Sequence, residues 1–331
     1  MIRNRLLAVV ILLLLVLTWI WRKGTPSSKA FVDLQSFPSA VTEPIWSAPD
    51  SNSISADEKG NLIRYGKKLI SSTAWYFGPK GKIGRNSNGM NCQNCHLKAG
   101  TQAWAGNFGS VASLYPRFSD RRGSTETINQ RITDCFERSM NGQAPDSNSV
   151  EMKAMNAYIS WVGKDVARGK KPRGTGLEIL PFIDRPADPQ LGRMIYAAKC
   201  QSCHGANGDG QPDSISGYRY PPLWGEHSYN TAAGLYRLSK FAGFIKDNMP
   251  FGSNFANEVL SNEQAWDLAA FVNSQPRPDK NFKKDWPEIN LKPVDFAYGP
   301  FPDTFPSRQH KFGPFAPIMK YKKDRTERTE K

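Results

Sequence analysis

The chain has 331 residues but only five cysteines and four histidines, so thiol and imidazole chemistry is confined to a few places. Four of the cysteines sit in two matching runs, Cys92-Gln93-Asn94-Cys95-His96 and Cys200-Gln201-Ser202-Cys203-His204. Only Cys135 is left over, which excludes a disulfide framework within the chain. There is no basic-aromatic repeat and no recognised nucleic-acid module, so the formal charge of +14 does not argue for a nucleic-acid partner.

Each Cys-x-x-Cys-His run offers two thiols that can add across the two vinyl groups of one haem, and a following imidazole for its iron. A lone Cys-x-x-Cys would also suit a zinc half-site or a redox dithiol. A histidine directly after the second cysteine, found twice, selects two covalently bound c-type haems.

Covalent haem attachment in bacteria takes place outside the cytoplasm, and the N-terminus agrees. Arg3 and Arg5 precede an apolar run over residues 6–21, which Arg22 and Lys23 close. At 1.5 Å per residue this run reaches roughly 24 Å, a little short of a hydrocarbon core of about 30 Å, and Trp19 and Trp21 suit the interface. Residues 1–23 are read as an uncleaved signal anchor, with a cleaved signal peptide ending near Ser28-Lys29-Ala30 as the alternative. Either way the body is expected on the periplasmic side, tethered to the inner membrane if the segment stays.

The remaining length suits two small haem domains with extensions. Residues 24–55, rich in Ser and Pro, read as a linker. Residues 56–168 form the first haem domain, with helices expected over 55–71, 125–140 and 152–166 from their apolar spacing. Residues 169–188 are a second linker. Residues 189–276 form the second haem domain, with helices expected over 191–198 and 261–273, the latter capped by Ser261. Residues 277–331 are a Pro- and aromatic-rich extension read as an extended strap, its last residues, 320–331, charged and mobile. The fold class is therefore all-α, two tandem class I cytochrome c-like domains with an N-terminal membrane segment and a C-terminal strap. The first domain carries 16 Lys and Arg against 9 Asp and Glu, the second 6 against 7. A basic bias confined to one haem domain fits a site for small anions.

The residue opposite each axial histidine decides what a haem is for. In the second domain Met249, followed by Pro250, pairs with His204. The first domain has no Met-Pro, and Cys135, Met140, Met152 and Met155 are all candidates. Arg131, Cys135 and Ser139 recur every four residues and share one helix face, with Arg121, Arg122 and Arg138 near in sequence. A thiol in such a row, beside ferric iron, is suited to be both ligand and nucleophile. His227 and His310 belong to no attachment run and read as ordinary polar or packed histidines.

Met90-Asn91-Cys92-Gln93-Asn94-Cys95-His96-Leu97, Tyr115-Pro116-Arg117, the stretch from Arg131 to Gly142 and Tyr220-Pro221-Pro222-Leu223-Trp224-Gly225 closely resemble the dihaem thiosulfate dehydrogenases, over about residues 56–318. The resemblance implies His96/Cys135 ligation of a catalytic haem, His204/Met249 ligation of an electron-transfer haem, and substrate contacts at Arg121, Arg131 and Ser139. It implies oxidation of thiosulfate to tetrathionate, or the reverse, with electrons leaving to a small cytochrome c or a membrane carrier. Some members have a lysine before the distal methionine that can bind iron. Asn248 stands there in this chain, so that exchange is not available. The alternatives are a membrane-tethered dihaem electron carrier without a substrate site and a cytochrome subunit of a sulfur-oxidising complex.

Overall fold

The computed structural model describes residues 43–213, 217–280 and 283–329. The apolar run 6–21, the whole of the expected anchor 1–23 and most of the linker 24–55 lie outside them. Among the described residues no helix is long and apolar enough to cross a membrane. From Pro44 onward the chain forms one compact unit.

Its architecture is helix-rich, with the same helix pairing used twice. In the N-terminal half α1 (Glu58–Ser71) leads into the short α2 (Thr73–Phe77). A hairpin of β1 (Arg117–Ser119) and β2 (Ser124–Glu126) follows, then α3 (Ile128–Arg138) and α4 (Val150–Val162). The second half holds α5 (Pro189–Lys199), the hairpin β3 (Gln211–Asp213) and β4 (Gly217–Tyr220), α6 (Leu238–Asn248) and α7 (Asn262–Ser274). The C-terminal segment adds α8 (Ser307–Phe312) and α9 (Ala316–Thr329).

Side-chain caps set the helix starts. Asp57 accepts from the Gly60 amide, so α1 begins after the expected Ser55. Thr127 and Gln130 form a reciprocal capping box. It delays α3 to Ile128, because residues 124–126 are taken up by pairing with 117–119. Ser149 starts α4 early, and Asp188 with Pro189 at the first helical position does the same for α5. Helix α6 was not expected. Ten of its eleven residues are buried, Lys246, Asp247 and Asn248 among them, and Leu238, Phe241, Ala242 and Ile245 recur along one face at helical spacing.

In each half the first helix crosses the last, α1 on α4 and α5 on α7. Both crossings place a glycine at the closest approach. A Cβ built on Gly66 would lie 1.9 Å from the Ala154 carbonyl oxygen, and one on Gly192 would lie 2.0 Å from that of Asp267. Neither obstacle is a side chain that can swing aside. Gly66→Ala should therefore spread α1 from α4 and destabilise the protein by about 1–3 kcal/mol, as overpacked cores do. A lower thermal midpoint, compared with Gly234→Ala, whose Cβ would meet nothing within 4 Å, checks this. Equal midpoints for the two variants would refute it.

Two cores result. One packs Leu69, Phe77, Phe136, Met152, Met155 and Tyr158, and the other Leu238, Phe241, Trp266, Leu268, Phe315 and Ile318. The last two residues bring the C-terminus into the second core. Residues 320–329, expected to be mobile, are helical instead. Ile318 is buried in the first turn of α9, and Lys320–Asp324 and Lys323–Glu327 pairs one turn apart support the exposed remainder.

Candidate functional site

Cys92, Cys95 and His96 open into a cavity of about 860 Å³ walled by Ile70, Phe108, Ile132, Phe136 and Ile159. The Nδ1 atom of His96 is bonded to the Gly106 carbonyl oxygen, so Nε2 is the nitrogen free for a metal. Burial holds this imidazole below its ordinary pKa, keeping it in the neutral form that coordinates iron. Two thiols, one oriented imidazole and an apolar wall are the donor set of a covalently bound haem. Among the sixth-ligand candidates, Cys135 and Met140 line the cavity. Met152 and Met155 are fully buried in the core and do not line it.

The cavity adjoins a larger, polar cleft of about 1630 Å³ that shares Cys95, His96, Arg131, Cys135 and Ser139 with it. The row Arg131 and Cys135 on α3, with Ser139 at its C-terminal cap, faces this space, and Arg121 from the β1–β2 turn joins it. The influence of Cys135 is the largest on Arg131 and holds its guanidinium above its ordinary range. Arg121 is pushed down to about 10, first by burial and then by the nearby Arg138. Positive charge is thus concentrated where low-dielectric walls keep it strong.

The arginines are held by a partner that the sequence did not suggest. Asp285, from the C-terminal segment, accepts two hydrogen bonds from Arg138 at 2.6 and 2.8 Å and lies 3.8 Å from Arg121 Nε. Arg121 also donates to the Ala232 carbonyl and lies over the Trp286 and Phe296 rings. Arg122 is turned away onto Asp134 and Glu126. The aromatic density of residues 277–318 pointed to a strap. That one of its carboxylates would pair with Arg138 and approach Arg121 has no signal in spacing or composition.

The second cavity, of about 1180 Å³, is lined by Cys200, Cys203, His204 and Met249. His204 Nδ1 is bonded to the Pro221 carbonyl oxygen at 2.9 Å, which repeats the orientation of His96. Met90 and Cys95 line both cavities, so the two haem sites share a wall. Asn248 is buried and bonded across the domains, donating to the Trp104 and Phe244 carbonyls and accepting from Gln102. His310 is a packed histidine, bonded to Val294 and Asp303 and stacked on Phe301, while His227 is exposed.

Comparison with known proteins agrees with this arrangement. Residues 82–167 match the family model of the SoxA/TsdA cytochrome c domain, and residues 189–276 match that of cytochrome c. The chain is 39% identical over 251 residues to the thiosulfate dehydrogenase of Psychrobacter arcticus, covering 75% of this chain and 73% of that one. It is 43% identical over 195 residues to that of Allochromatium vinosum, covering 58% and 71%. It superimposes on the solved thiosulfate dehydrogenase TsdBA of Marichromatium purpuratum with a TM-score of 0.65 at 30% identity, over 71% of this chain and half of that one. The two cytochrome c domains, each with its attachment run facing a cavity, carry two covalently bound c-type haems. The chain belongs to the thiosulfate dehydrogenase family.

Proposed function

We propose that this chain is a thiosulfate dehydrogenase that joins two thiosulfates through their outer sulfurs into tetrathionate, releasing two electrons, and that Cys135, Arg121, Arg131 and Ser139 carry the reaction. The observation that supports this most is that all four side chains line one polar cleft beside His96. An electron carrier has no use for such a cleft.

The difficulty of the reaction is electrostatic. Two dianions must meet, and at about 4 Å two unit charges of like sign already repel by about 4 kcal/mol at an effective dielectric constant of 20. Arg121 and Arg131 offset that repulsion with charge fixed in place before substrate arrives, and Ser139 donates a hydrogen bond to a sulfonate oxygen. Each haem, when bound, accepts one electron, so two haems match the two electrons of the coupling. Cys135 bonds to the outer sulfur of the first thiosulfate, the new S–S bond forming as two electrons leave. The outer sulfur of the second thiosulfate then attacks the sulfur bound to Cys135, breaking that bond, and releases tetrathionate and the thiolate. His204 and Met249 would hold the second haem, and the wall that the two sites share at Met90 and Cys95 would place it near enough to the first to take over an electron. From there electrons leave to a small cytochrome c or a membrane carrier. We place the body in the periplasm, tethered through residues 6–21 if that segment is uncleaved.

The test is a two-way assay of the haem-loaded protein, thiosulfate with ferricyanide and tetrathionate with reduced viologen. Turnover in at least one direction is expected, and the ratio of the rates gives the catalytic bias. Silence in both directions would return the chain to the carrier reading.

A further inference from the structure

The coupling needs a place for the second thiosulfate, and Arg121, Arg131 and Ser139 account for only one. The far wall of the cleft is built by other parts of the chain. Lys171 comes from the interdomain linker and Lys240 from α6 of the second cytochrome domain, and Arg117 on β1 lies beside them. The neighbouring cation Arg237 is already neutralised, donating to the buried Asp295 at 2.7 Å. Of the carboxylates on the lining, Glu126 and Asp134 are engaged by Arg122, and Asp120 is exposed. By contrast, the side chains of Lys240, Lys171 and Arg117 make no hydrogen bond or ion pair with the described residues. Lys171 and Arg117 are exposed and screened, but Lys240 is half-buried. Burial, followed by the like charges of Arg237 and Lys171, pushes Lys240 down to about 8. Cations with no carboxylate partner gathered in one cleft, Arg117 lying only over the Tyr115 ring, are unfavourable to the empty protein and become favourable when an anion lies between them.

We infer that Lys240, supported by Lys171 and Arg117, forms a second sulfonate subsite that receives the second thiosulfate and one end of tetrathionate. This rests on the thiosulfate dehydrogenase reading and adds that the active site is completed by the second haem domain. The first sulfonate lies at Arg121, Arg131 and Ser139 next to Cys135, the second at Lys240, and tetrathionate, with a sulfonate at each end, engages both.

The experiment uses the full haem-loaded protein as wild type, Lys240→Met and Lys240→Arg, with Lys240→Gln in place of the Met variant should that one lose haem. Tetrathionate binding to the oxidised protein is measured by calorimetry. Methanesulfonate, which has one sulfonate, is measured as a competitor of thiosulfate. Lys240→Met should weaken tetrathionate about tenfold, which is about 1.4 kcal/mol. It should leave methanesulfonate within about twofold, and Lys240→Arg should restore most of the loss. Unchanged tetrathionate binding in an active Lys240→Met protein would overturn the subsite while leaving the dehydrogenase reading intact. Equal weakening of both anions would also overturn it, since that is the mark of a general field and not of a second site. A wild type that turns over neither thiosulfate nor tetrathionate would sink the underlying reading instead.

Discussion

Replacing Cys135 by alanine is expected to abolish thiosulfate oxidation, by at least about a thousandfold in kcat, while both haems stay attached. The two effects separate because Cys135 is not one of the four attachment cysteines. It stands on α3 at the edge of the cleft, beside Ile132 and Phe136, which pack into the core, and alanine suits a helix interior. Intact mass should show the two haems unchanged. Cys135→Met sharpens the test, since it keeps a sulfur that can reach iron but removes the nucleophile. That variant should also be inactive, with the first haem at a higher potential, as thioether ligation raises it. Turnover surviving in either variant would demote Cys135 to a structural thiol and remove the covalent step. A second readout follows from the same chemistry. Wild-type protein given thiosulfate and ferricyanide should hold a thiosulfate-derived mass increment on Cys135, and Cys135→Ala should not.

The residues that could be read in advance are those whose chemistry depends on short spacing. The two Cys-x-x-Cys-His runs, the four-residue row Arg131, Cys135, Ser139 and the capped helix α7 each span a short stretch of chain, and the structure places each run and the row on one surface. Helix α6 carries a legible stripe, Leu238, Phe241, Ala242 and Ile245, but its polar face gives no hint that Lys246, Asp247 and Asn248 are buried as well. Lys240 and Asp285 escaped for another reason. Lys240 reaches the cleft, and Asp285 the arginines Arg121 and Arg138, from separate parts of the chain, 105 and 150 positions beyond Cys135, and only the packing of the second domain and the C-terminal segment brings them there. A single sequence carries no mark of such a meeting. The ligand choice in the first domain is intermediate. Spacing left four candidates open, and the structure removes Met152 and Met155 by burying them away from the cavity.

Arg131→Gln should lower kcat/KM for thiosulfate by about 10²–10³ while shifting the thermal midpoint by no more than a degree or two. The catalytic loss follows from what the side chain faces. Its guanidinium makes no hydrogen bond or ion pair with the described residues, and its strongest neighbour is Cys135. A charged hydrogen bond to a sulfonate contributes about 1.5–3 kcal/mol, and relief of the repulsion between two dianions adds to it in a partly dry cleft. Together these correspond to two to three powers of ten. The small effect on folding follows from the same lack of partners. Where Arg138 is removed, Asp285 loses a buried, doubly bonded partner at 2.6 and 2.8 Å, and breaking such a pair costs about 3–5 kcal/mol. Arg131 leaves no such orphan behind. Arg131→Lys should recover part of the rate, since it keeps the charge but loses the planar fork that matches a sulfonate. Steady-state kinetics and thermal unfolding on the same preparations decide the matter. A large fall in stability with unchanged kcat/KM would make Arg131 a structural residue, and the cleft would then need another source of charge for the substrate nearest Cys135.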